Sequence, residues 1–513
     1  MTVSNQHSNR VLIVGAGPTG LTAAAFLARQ NVEFDLIDIR QGPVDDSRAL
    51  GVHARTLEFM SMLGLDEEFI AEGHQTRFMT FHRGDRKLFK LDFDKISGTT
   101  RYPYMLVLPQ SRSERILVRH LNRQGVDVGW NTKLLNFHET DQGVLATIEA
   151  DATGVAQRHY AYVIGCDGAG SMVRNTLDIP FEGETYPLRF LLSEVAIADN
   201  AIDRSSSHVF MGRDTTVAVI PQPDDIYRIV GPDFSTGQQA QDPSGATQVD
   251  YGDFQNFLKQ NKLLQHVDMH DPSRLVSYRI HKRVAARYRK GRVFIAGDAA
   301  HVHSPAGGQG MNTGLNDVAN LTWKLAAVLK GDAPEALLET YESERRPAAI
   351  SVVTNADAAM MKVVSRKLGA RLFFDYVAPI LTQLYQPKGL LEAIAQISWT
   401  CPSLGVPAAQ DAPTGFNGMR MPDLRLKSGE YSNAYLGGRQ LVGFLSGTQQ
   451  DVRRVHAKGG ADLHQLAEPF SPPRAGPFEG VVLCRPDGYV AAAIPTGGLR
   501  GEVSVPSLAQ IVG

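Results

Sequence analysis

Val11-Leu12-Ile13-Val14-Gly15-Ala16-Gly17-Pro18-Thr19-Gly20 is the stretch of sequence that decides the fold. Its four consecutive apolar residues are typical of a parallel strand buried on both faces, and three glycines follow with the spacing Gly-x-Gly-x-x-Gly. Leu21 to Gln30 then predicts an alanine-rich helix. Glycines at such a junction allow a tight turn and let a pyrophosphate approach the amino end of the helix, where free N–H groups favour an anion.

A second predicted strand, Phe34 to Asp38, extends this to a βαβ unit and ends on an acid. A carboxylate at this position can accept hydrogen bonds from the ribose hydroxyls of an adenosine. The strand, glycine loop, helix and acid together predict dinucleotide binding by Gly15, Gly17, Gly20 and Asp38. A glycine-rich turn beside a surface aspartate is the alternative, and the pattern does not separate NAD from FAD.

Two later apolar runs also end on an acid. Tyr162 to Cys166 is followed by Asp167-Gly168, and Arg292 to Ala296 by Gly297-Asp298. Parallel strands bring their carboxyl ends to one edge of a sheet, so both acids are expected at one cleft. A carboxylate after the second run can bind the ribityl hydroxyls of a flavin, which favours FAD. An ordinary aspartate between a strand and a turn is the alternative.

The order of these patterns predicts an α/β fold in several parts. Residues 1–180 and 281–400 are expected to form a Rossmann-like domain in two pieces, the second ending in a helical segment. Residues 181–280 contain short β-like runs and are expected to form an inserted, mostly antiparallel substrate domain. A linker rich in Pro and Gly over 401–422 and a small α/β tail over 423–513 follow.

The composition is that of a globular protein and excludes several classes of function. Of the 513 residues, 43% are apolar and 21% charged, which argues against a largely disordered chain. Lys and Arg number 52 against 54 Asp and Glu, so charge provides no reason to expect nucleic acid or an anionic membrane as a partner. The three cysteines are far apart and predict neither a disulfide framework nor a zinc site. Because the first residues are polar and glycines interrupt the apolar stretch from Val11 to Ala28, we expect a cytoplasmic protein without a secretory signal or a membrane helix.

Taken together, the motifs resemble those of the group A flavin-dependent aromatic hydroxylases, the single-component FAD monooxygenases related to p-hydroxybenzoate hydroxylase and phenol hydroxylase. The resemblance covers nearly the whole chain, in order. It implies that Arg48 lies beside the cofactor and that Gln110 reaches the ribityl chain. It also links Asp167-Gly168 and Arg174 to both FAD and NAD(P)H, with a solvated helix charge as the alternative for the arginine.

The stretch Ser304 to Asn312 matches the loop that lies against the flavin ring in this family. Reduced flavin is anionic near N1 and O2, and the N–H groups that open a helix at Gly310 to Lys330 can stabilise that charge. His301 and His303 could instead form a metal pair, but no third ligand is evident and we expect no metal. The loop residues implied by the resemblance are Pro305, Gly307, Gly308, Gly310, Met311 and Asn312.

The tail resembles the thioredoxin-like carboxyl-terminal domain of the phenol hydroxylase branch. Arg485-Pro486-Asp487-Gly488-Tyr489 matches its recurring element, but the tail has no Cys-x-x-Cys pair, so redox chemistry there is not expected. The resemblance therefore implies a Rossmann-like FAD-binding domain, an inserted antiparallel-sheet substrate domain and a thioredoxin-like carboxyl-terminal domain.

The same resemblance implies that the chain hydroxylates a phenolic or related aromatic compound with NAD(P)H and O₂ through a flavin C4a-hydroperoxide. No second glycine-rich unit is visible in the sequence, so NADH or NADPH is expected as a transient co-substrate. A Baeyer–Villiger or decarboxylating oxygenase acting on a polyketide-like substrate is the first alternative, and a non-enzymatic FAD-binding protein is the second. No other class of partner is expected, although a homodimer stays open.

Candidates for the chemistry precede the Gly297-Asp298 strand. Tyr278, His281 and Arg283 are predicted to contact or deprotonate a phenol, because a Tyr or His side chain has a suitable pKa for such a relay. The alternative is that these three side chains pack or cap the inserted sheet. A second set, predicted to line the substrate pocket, consists of His208, Phe210 and Arg213.

Overall fold

A computed structural model describes most of the chain. The described residues are 9–44, 49–151, 153–198, 201–212, 215–233, 247–248, 250–265, 267–304, 306–363, 368–385, 387–401, 418–438, 440–446, 455–456, 462–467, 478, 480–495 and 503–504. Arg48, Arg213 and Pro305 lie outside these residues, as does most of the predicted linker.

The amino-terminal part begins with the predicted βαβ unit. Pro18 opens its helix at a position where a missing N–H costs nothing, and the alanines that follow are buried. The strands are β1 Val11–Val14, β2 Phe34–Ile37, β3 Gly51–Val52, β4 His74–Thr76, β5 Phe78–Arg83, β6 Arg86–Asp92, β7 Met105–Val107, β8 Thr132–Thr140, β9 Gly143–Ala150, β10 Gly154–Tyr160 and β11 Tyr162–Gly165. The helices are α1 Pro18–Arg29, α2 Ala54–Met62, α3 Asp66–Glu72 and α4 Gln110–Arg123, with a 3₁₀ turn at Phe93–Ile96.

The middle of the chain is rich in long strands. Its elements are α5 Met172–Thr176, β12 Phe181–Ile197, β13 Ser206–Met211, β14 Thr216–Pro221, β15 Ile226–Asp233, β16 Thr247–Gln248, α6 Tyr251–Gln260 and β17 Met269–Ala285. Alternating burial along β14, with every second residue buried, matches a sheet covered on one face more tightly than on the other.

The chain then returns to the first sheet and continues into helices. These elements are β18 Arg289–Lys290, β19 Val293–Ile295, β20 His301–Val302, α7 Gln309–Leu329, α8 Thr340–Val363, α9 Leu368–Leu372, α10 Ala378–Leu384 and α11 Lys388–Ile394. Short turns of 3₁₀ helix occupy Gly297–Ala299, Ala306–Gly308 and Glu335–Glu339, and a π-helical turn occupies Phe373–Val377. Within the described residues, no helix combines the length and the apolar character that crossing a bilayer requires.

Parallel strands from distant parts of the sequence meet in one sheet. Its order is β18-β19-β11-β1-β2, and β1 is parallel to both β2 and β11 while β11 is parallel to β19. The carboxyl ends of β1, β2, β11 and β19 therefore lie along one edge, as the sequence predicts. Helices α1 and α7 pack against each other beside this edge.

The inserted sheet has the order β16-β17-β12-β15-β14-β13-β5-β6. Its middle strands pair antiparallel, as expected for an inserted substrate domain, whereas β13 pairs parallel with β5. It also draws β5 and β6 from the first 180 residues and runs to Ala285, so the sheet is not confined to one contiguous segment.

The tail adds a smaller sheet with the order β23-β21-β24-β25 and a separate pair of short strands, β22 and β26. The strands are β21 Val442–Ser446, β22 Val455–His456, β23 Asp462–Gln465, β24 Gly480–Cys484, β25 Val490–Pro495 and β26 Val503–Ser504, after a 3₁₀ turn at Ser432–Tyr435. Phe444, Val482 and Val490 belong to the same hydrophobic core as β1 and α1, so the tail packs directly on the amino-terminal part.

Candidate cofactor site

The glycine loop after β1 contains two glycines that the fold requires and one that it does not. A Cβ on Gly15, whose φ is 102°, would lie 2.4 Å from the carbonyl oxygen of Cys166. A Cβ on Gly20 would lie 1.8 Å from the oxygen of Gly15. Gly17 has a φ of −73°, and a Cβ there would meet nothing within 4 Å. The open space beside Gly17, at the amino end of α1, therefore fits the approach of a phosphate group.

Asp38, at the end of β2, is buried and tied to the same loop. One carboxylate oxygen accepts from the N–H of Ala16 at 2.6 Å, and both oxygens accept from Arg40. Arg40 also reaches the buried carboxylate of Glu114 at 3.4 Å. Arg40 and Glu114 are not among the residues predicted from the sequence, where the one signal is an arginine two residues after Asp38.

Gln110 is the first residue of α4 and faces this group. Its Oε1 accepts from the N–H of Ala49 at 3.3 Å, and its Nε2 donates to Glu114 at 2.9 Å. Its carboxamide therefore connects the chain before β3 to the carboxylate beneath Arg40. The predicted neighbour Arg48 lies outside the described residues.

The Asp167-Gly168 turn after β11 is held by its own helix. Asp167 accepts from the hydroxyl of Ser171 and from the N–H of Val173, and burial raises the pKa of its carboxyl group. Arg174 donates to the carbonyl oxygens of Ala299 at 2.9 Å and Ala169 at 2.8 Å. The arginine is buried and joins two loops at the sheet edge, which argues against the solvated helix charge.

Two acids at the turn after β19, one within the turn and one bonded to it from α7, have different surroundings. Gly297 has a φ of 61°, and a Cβ there would lie 2.6 Å from the hydroxyl oxygen of Thr19 in α1. The side chain of Asp298 is exposed at the edge of the sheet. Asp317, in α7, is fully buried and accepts from the N–H of Gly297 at 3.2 Å. The exposed acid can therefore meet a ligand, while the buried acid holds the turn.

Asp317 also binds two basic side chains. Its Oδ2 lies 2.7 Å from Nε2 of His301, and its Oδ1 accepts from Nε of Arg345 at 3.0 Å. Burial would raise the pKa of Asp317, but His301 and Arg345 outweigh it and hold that pKa below the ordinary value. His303 turns elsewhere, with Nδ1 2.8 Å from the carbonyl oxygen of Ser304. The two histidines of the suggested metal pair thus have separate partners.

The loop before α7 is clamped to α2 and β3. Gly307 and Gly308 have φ values of 75° and 64°, which favour glycine. Asn312 donates to the carbonyl oxygens of Gly51 and Gly308 at 2.8 and 2.7 Å, and its Oδ1 accepts from the N–H of His53 at 2.9 Å. The carboxamide of Asn312 is therefore fully used within the protein. We call residues 306–312 the ring loop.

His53 is a further clamp, and it is not among the site residues predicted from the sequence. Its Nε2 lies 2.7 Å from the carbonyl oxygen of Gly307. Burial lowers the pKa of His53 to about 4, so the ring is neutral near pH 7 and must donate through Nε2 to that carbonyl. The signal that could have found it is its position immediately before the first residue of α2.

One buried nitrogen beside the ring loop has no partner. Nε2 of His303 lies 3.7 Å from the place where a Cβ on Gly310 would be, and no hydrogen bond reaches it within the described structure. Burial lowers the pKa of His303 to about 4. Gly310 and Met311 stand in the first turn of α7, whose N–H groups lack intrahelical acceptors. These unpaired polar atoms fit a bound group at the amino end of α7.

Cross-strand register sorts the substrate candidates onto two faces of the inserted sheet. His208 pairs with Val219 and Phe210 with Val217, and both valines lie in the core beneath α6. Nε2 of His208 lies 2.8 Å from the carbonyl oxygen of Asp203. This placement argues against the predicted pocket role of His208 and Phe210, because the ring loop is on the other side.

The opposite face is the one that turns to the ring loop. Ile220 packs against Leu50, Met105 and Val107. The residue after Leu50 is Gly51, where a Cβ would lie 3.7 Å from the carbonyl oxygen of Gly308. Register places further residues on the same face as Ile220. They are Phe190, Leu192, Val230, Tyr278 and Ile280, which we call the apolar wall.

The three catalytic candidates on β17 do not form one cluster. Tyr278 packs with Phe190 and Ile280 in the apolar wall. Side chains alternate along a strand, so His281 and Arg283 point to the other face. There Nδ1 of His281 lies 2.8 Å and the Arg283 guanidinium 3.4 Å from the hydroxyl of Thr185. Of the three, Tyr278 therefore has the placement that suits a substrate group.

Comparison with known proteins decides the family. Residues 8–356 match the family model described as an FAD binding domain. The chain belongs to the group A FAD-dependent aromatic hydroxylases. It is 33% identical over 512 residues to 6-methylpretetramide 4-monooxygenase of Streptomyces rimosus, covering 94% of this chain and 90% of the relative. It is 32% identical over 492 residues to rifampicin monooxygenase of Streptomyces venezuelae, covering 94% and 95%.

A solved structure supports the assignment to this family. The anhydrotetracycline hydroxylase of Streptomyces rimosus superposes with a TM-score of 0.75 at 30% identity, covering 95% of this chain and 97% of that chain. FAD is therefore the cofactor of this hydroxylase, and reduced nicotinamide nucleotide is the co-substrate typical of its family. The predicted family, mixed α/β fold, enzyme class and cofactor are confirmed, whereas a thioredoxin-like tail stays a prediction.

Proposed function

We propose that the chain is a single-component monooxygenase that hydroxylates a phenolic or related aromatic compound, using FAD, NAD(P)H and O₂. One oxygen atom of O₂ enters the product and the other leaves as water, with NAD(P)H supplying two electrons. The observation that carries this proposal is the apolar wall, which includes Tyr278 and shares a sheet face with Ile220, the residue that packs on Leu50 beside the ring loop. An aromatic substrate between the wall and the loop would be oriented and kept dry.

FAD would be held along the edge where the parallel strands end. We assign its pyrophosphate to the open side of Gly17 and the amino end of α1, and its ribityl chain to the exposed carboxylate of Asp298. The ring would lie at the amino end of α7, near Gly310 and Met311. When bound, FAD supplies hydride acceptance from NAD(P)H and the activation of O₂.

We assign the predicted site residues to three groups on the basis of their contacts. Gly15, Gly20, Asp167, Arg174, Gly297 and Asn312 shape and hold the loops, because their spaces and hydrogen bonds are filled by the protein. Gly17, Asp298, Gly310 and Met311 offer the open space, exposed carboxylate or helix-end N–H groups that direct contact with FAD requires. Asp38 and Gln110 belong to a hydrogen-bonded group at the ribose end.

Asp298→Ala is expected to weaken FAD binding with little effect on the fold. The exposed carboxylate would be lost as an acceptor, which costs about 1–3 kcal/mol, or roughly a 5- to 150-fold rise in the FAD dissociation constant. Titration of the apoprotein with FAD, followed by flavin fluorescence, measures this directly. An unchanged dissociation constant would remove Asp298 from the cofactor site.

Tyr278→Phe is expected to lower the rate of product formation about 100-fold, since a group that holds or accepts the phenol proton typically contributes at least that much. The FAD dissociation constant should stay unchanged. The matched control is His281→Gln, which alters a polar side chain of the same strand on the opposite face. If the control is impaired and Tyr278→Phe is not, the substrate lies on the other face.

The rates of NADH and NADPH oxidation decide which of the two nucleotides is the co-substrate. A nicotinamide nucleotide that binds only transiently should reduce the flavin faster when an aromatic substrate is bound. Phenols and multi-ring aromatic polyketides should be screened for stimulation of NADH or NADPH oxidation in air, with H₂O₂ measured in parallel. Stimulation accompanied by a hydroxylated product supports the proposal, and a complete absence of stimulation across both classes would contradict it.

A further inference from the structure

One turn of the tail reaches the helix that clamps the ring loop. Arg55, in the first turn of α2, is wholly buried, and its Nη2 donates to the carbonyl oxygen of Asp487 at 2.5 Å. The guanidinium carbon lies 4.9 Å from the centre of the Tyr489 ring. Gly488, between them, has a φ of 75°, and a Cβ there would lie 3.4 Å from the Arg55 nitrogens. The turn and the arginine are therefore in close contact.

The same turn is anchored on α7 and α8 by buried charges. Arg485 donates to Glu344 in α8 at 3.0 and 2.7 Å and to its neighbour Asp487. Asp487 accepts from Asn320 in α7 at 3.0 Å. Lys324, also in α7, lies 3.0 Å from Glu344. Burial of such charges is weak evidence of net stability, but a network of this kind can select one arrangement of the helices it joins.

Two of the three helices that the turn contacts, α2 and α7, meet the ring loop at their amino ends. His53, two residues before Arg55, is bonded to the ring loop through both its backbone N–H and its side-chain ring. Thr56, the residue after Arg55, donates to Oδ1 of Asn312 at 2.7 Å. Asn312 itself lies in α7, the helix that Asp487 contacts through Asn320. The residue of α2 that contacts the tail, Arg55, therefore lies within one helix turn of the residues that bind the ring loop.

We infer that the Arg485–Tyr489 turn of the tail positions the ring loop through Arg55, so the tail takes part in flavin binding without touching the flavin. Arg55 is a positioning residue, since its contacts are with the protein alone. The inference rests on the proposed placement of the flavin at the ring loop. It assigns the tail a mechanical role in place of the redox role that its missing cysteine pair excludes.

A matched control exists on the other side of the tail. Arg29, at the carboxyl end of α1, donates to the carbonyl oxygens of Ala434 and Leu436 at 2.9 and 3.0 Å. It also joins the tail to the amino-terminal part through an arginine and backbone carbonyls, but it lies at the end of α1 away from Gly17. We expect the loss of either contact to loosen the tail, but of these two arginines only Arg55 is close in sequence to residues that are bonded to the ring loop.

The test compares Arg55→Lys with Arg29→Lys in the full-length protein. Hydrogen exchange of the amides of residues 306–312 is measured in the apoprotein, followed by the FAD dissociation constant and the melting temperature. We expect Arg55→Lys to speed exchange in the ring loop and to raise the FAD dissociation constant, each about tenfold, as for loss of one bond from a charged donor. Arg29→Lys should leave both values unchanged.

Equal effects of the two substitutions on the ring loop, or no effect of Arg55→Lys, would overturn the inference. Should Arg55→Lys fail to fold, Gly488→Ala, which places a methyl group against the Arg55 guanidinium, takes its place with the same expected results. Faster hydrogen exchange in the ring loop of Arg55→Lys, with an unchanged FAD dissociation constant, would distinguish the two proposals. It would support the mechanical link and contradict the placement of the flavin at this loop.

Discussion

Gly17→Val is expected to abolish FAD retention while leaving the apoprotein folded. The backbone at Gly17 is extended, with a φ of −73°, and a new side chain would meet no protein atom within 4 Å. Its methyl groups would instead fill the space assigned to the pyrophosphate at the amino end of α1. We expect the purified variant to be colourless, with an FAD dissociation constant raised more than about 100-fold, which is roughly 3 kcal/mol.

The control for this prediction is a second glycine of the same loop. Gly20→Ala would place a methyl carbon 1.8 Å from the oxygen of Gly15, so the loop or the strand must move. That variant should lose stability as well as FAD, whereas Gly17→Val should keep the melting temperature of the wild-type apoprotein. A yellow Gly17→Val protein with unchanged affinity would remove the pyrophosphate from this loop.

Asp317→Asn is expected to destabilise the whole protein rather than the cofactor site alone. The substitution leaves the buried guanidinium of Arg345 without its carboxylate and weakens the bond to His301. Breaking a buried ion pair by removing one partner costs about 3–5 kcal/mol of the free energy of unfolding. Denaturant unfolding of the apoprotein measures this loss.

The pH dependence of that contribution follows from the direction of the shift. The pKa of Asp317 is lower in the folded protein than in the unfolded chain, so its stabilisation is complete above the ordinary aspartate pKa and is lost as the pH falls through the folded value. It should therefore be constant across the neutral range. Asp298→Asn is the control, since that carboxylate is exposed one residue after Gly297 and its loss should leave the apoprotein's stability within about 0.5 kcal/mol. Equal stability of both variants would contradict a structural role for Asp317.

The parallel sheet, and the edge of it at which a ligand is expected to bind, could be predicted because short local sequence patterns indicate both. Continuous apolar runs of four residues identify strands buried on both faces, and glycines with acids at their ends identify the edge. Gly297 illustrates this, since its positive φ and its contact with Thr19 both exclude a side chain. The order of such local signals along the chain is sufficient to identify the family.

The sequence could not predict which of the site residues hold the loops in place, because that role depends on contacts between distant segments. Arg174 and Asn312 match family motifs, but the structure shows that their polar groups are bonded to the protein itself. His208 fits the alternating pattern of a β-strand, but that pattern does not say which face of the sheet it occupies. The register with Val219 shows that it faces α6. Arg55 and Asp487 are separated by 432 residues, and no local pattern pairs them.

Incubation of the FAD-loaded enzyme with an active phenol, NAD(P)H and ¹⁸O₂ tests the central claim most directly. Hydroxylation predicts one ¹⁸O atom in a new phenolic hydroxyl group for each product molecule, and the second ¹⁸O atom in water. Mass spectrometry gives the isotope content, and NMR of the product locates the oxygen on the ring. A product whose new oxygen is ¹⁶O from solvent, or one in which ¹⁸O lies in a ring-expanded lactone, would contradict aromatic hydroxylation.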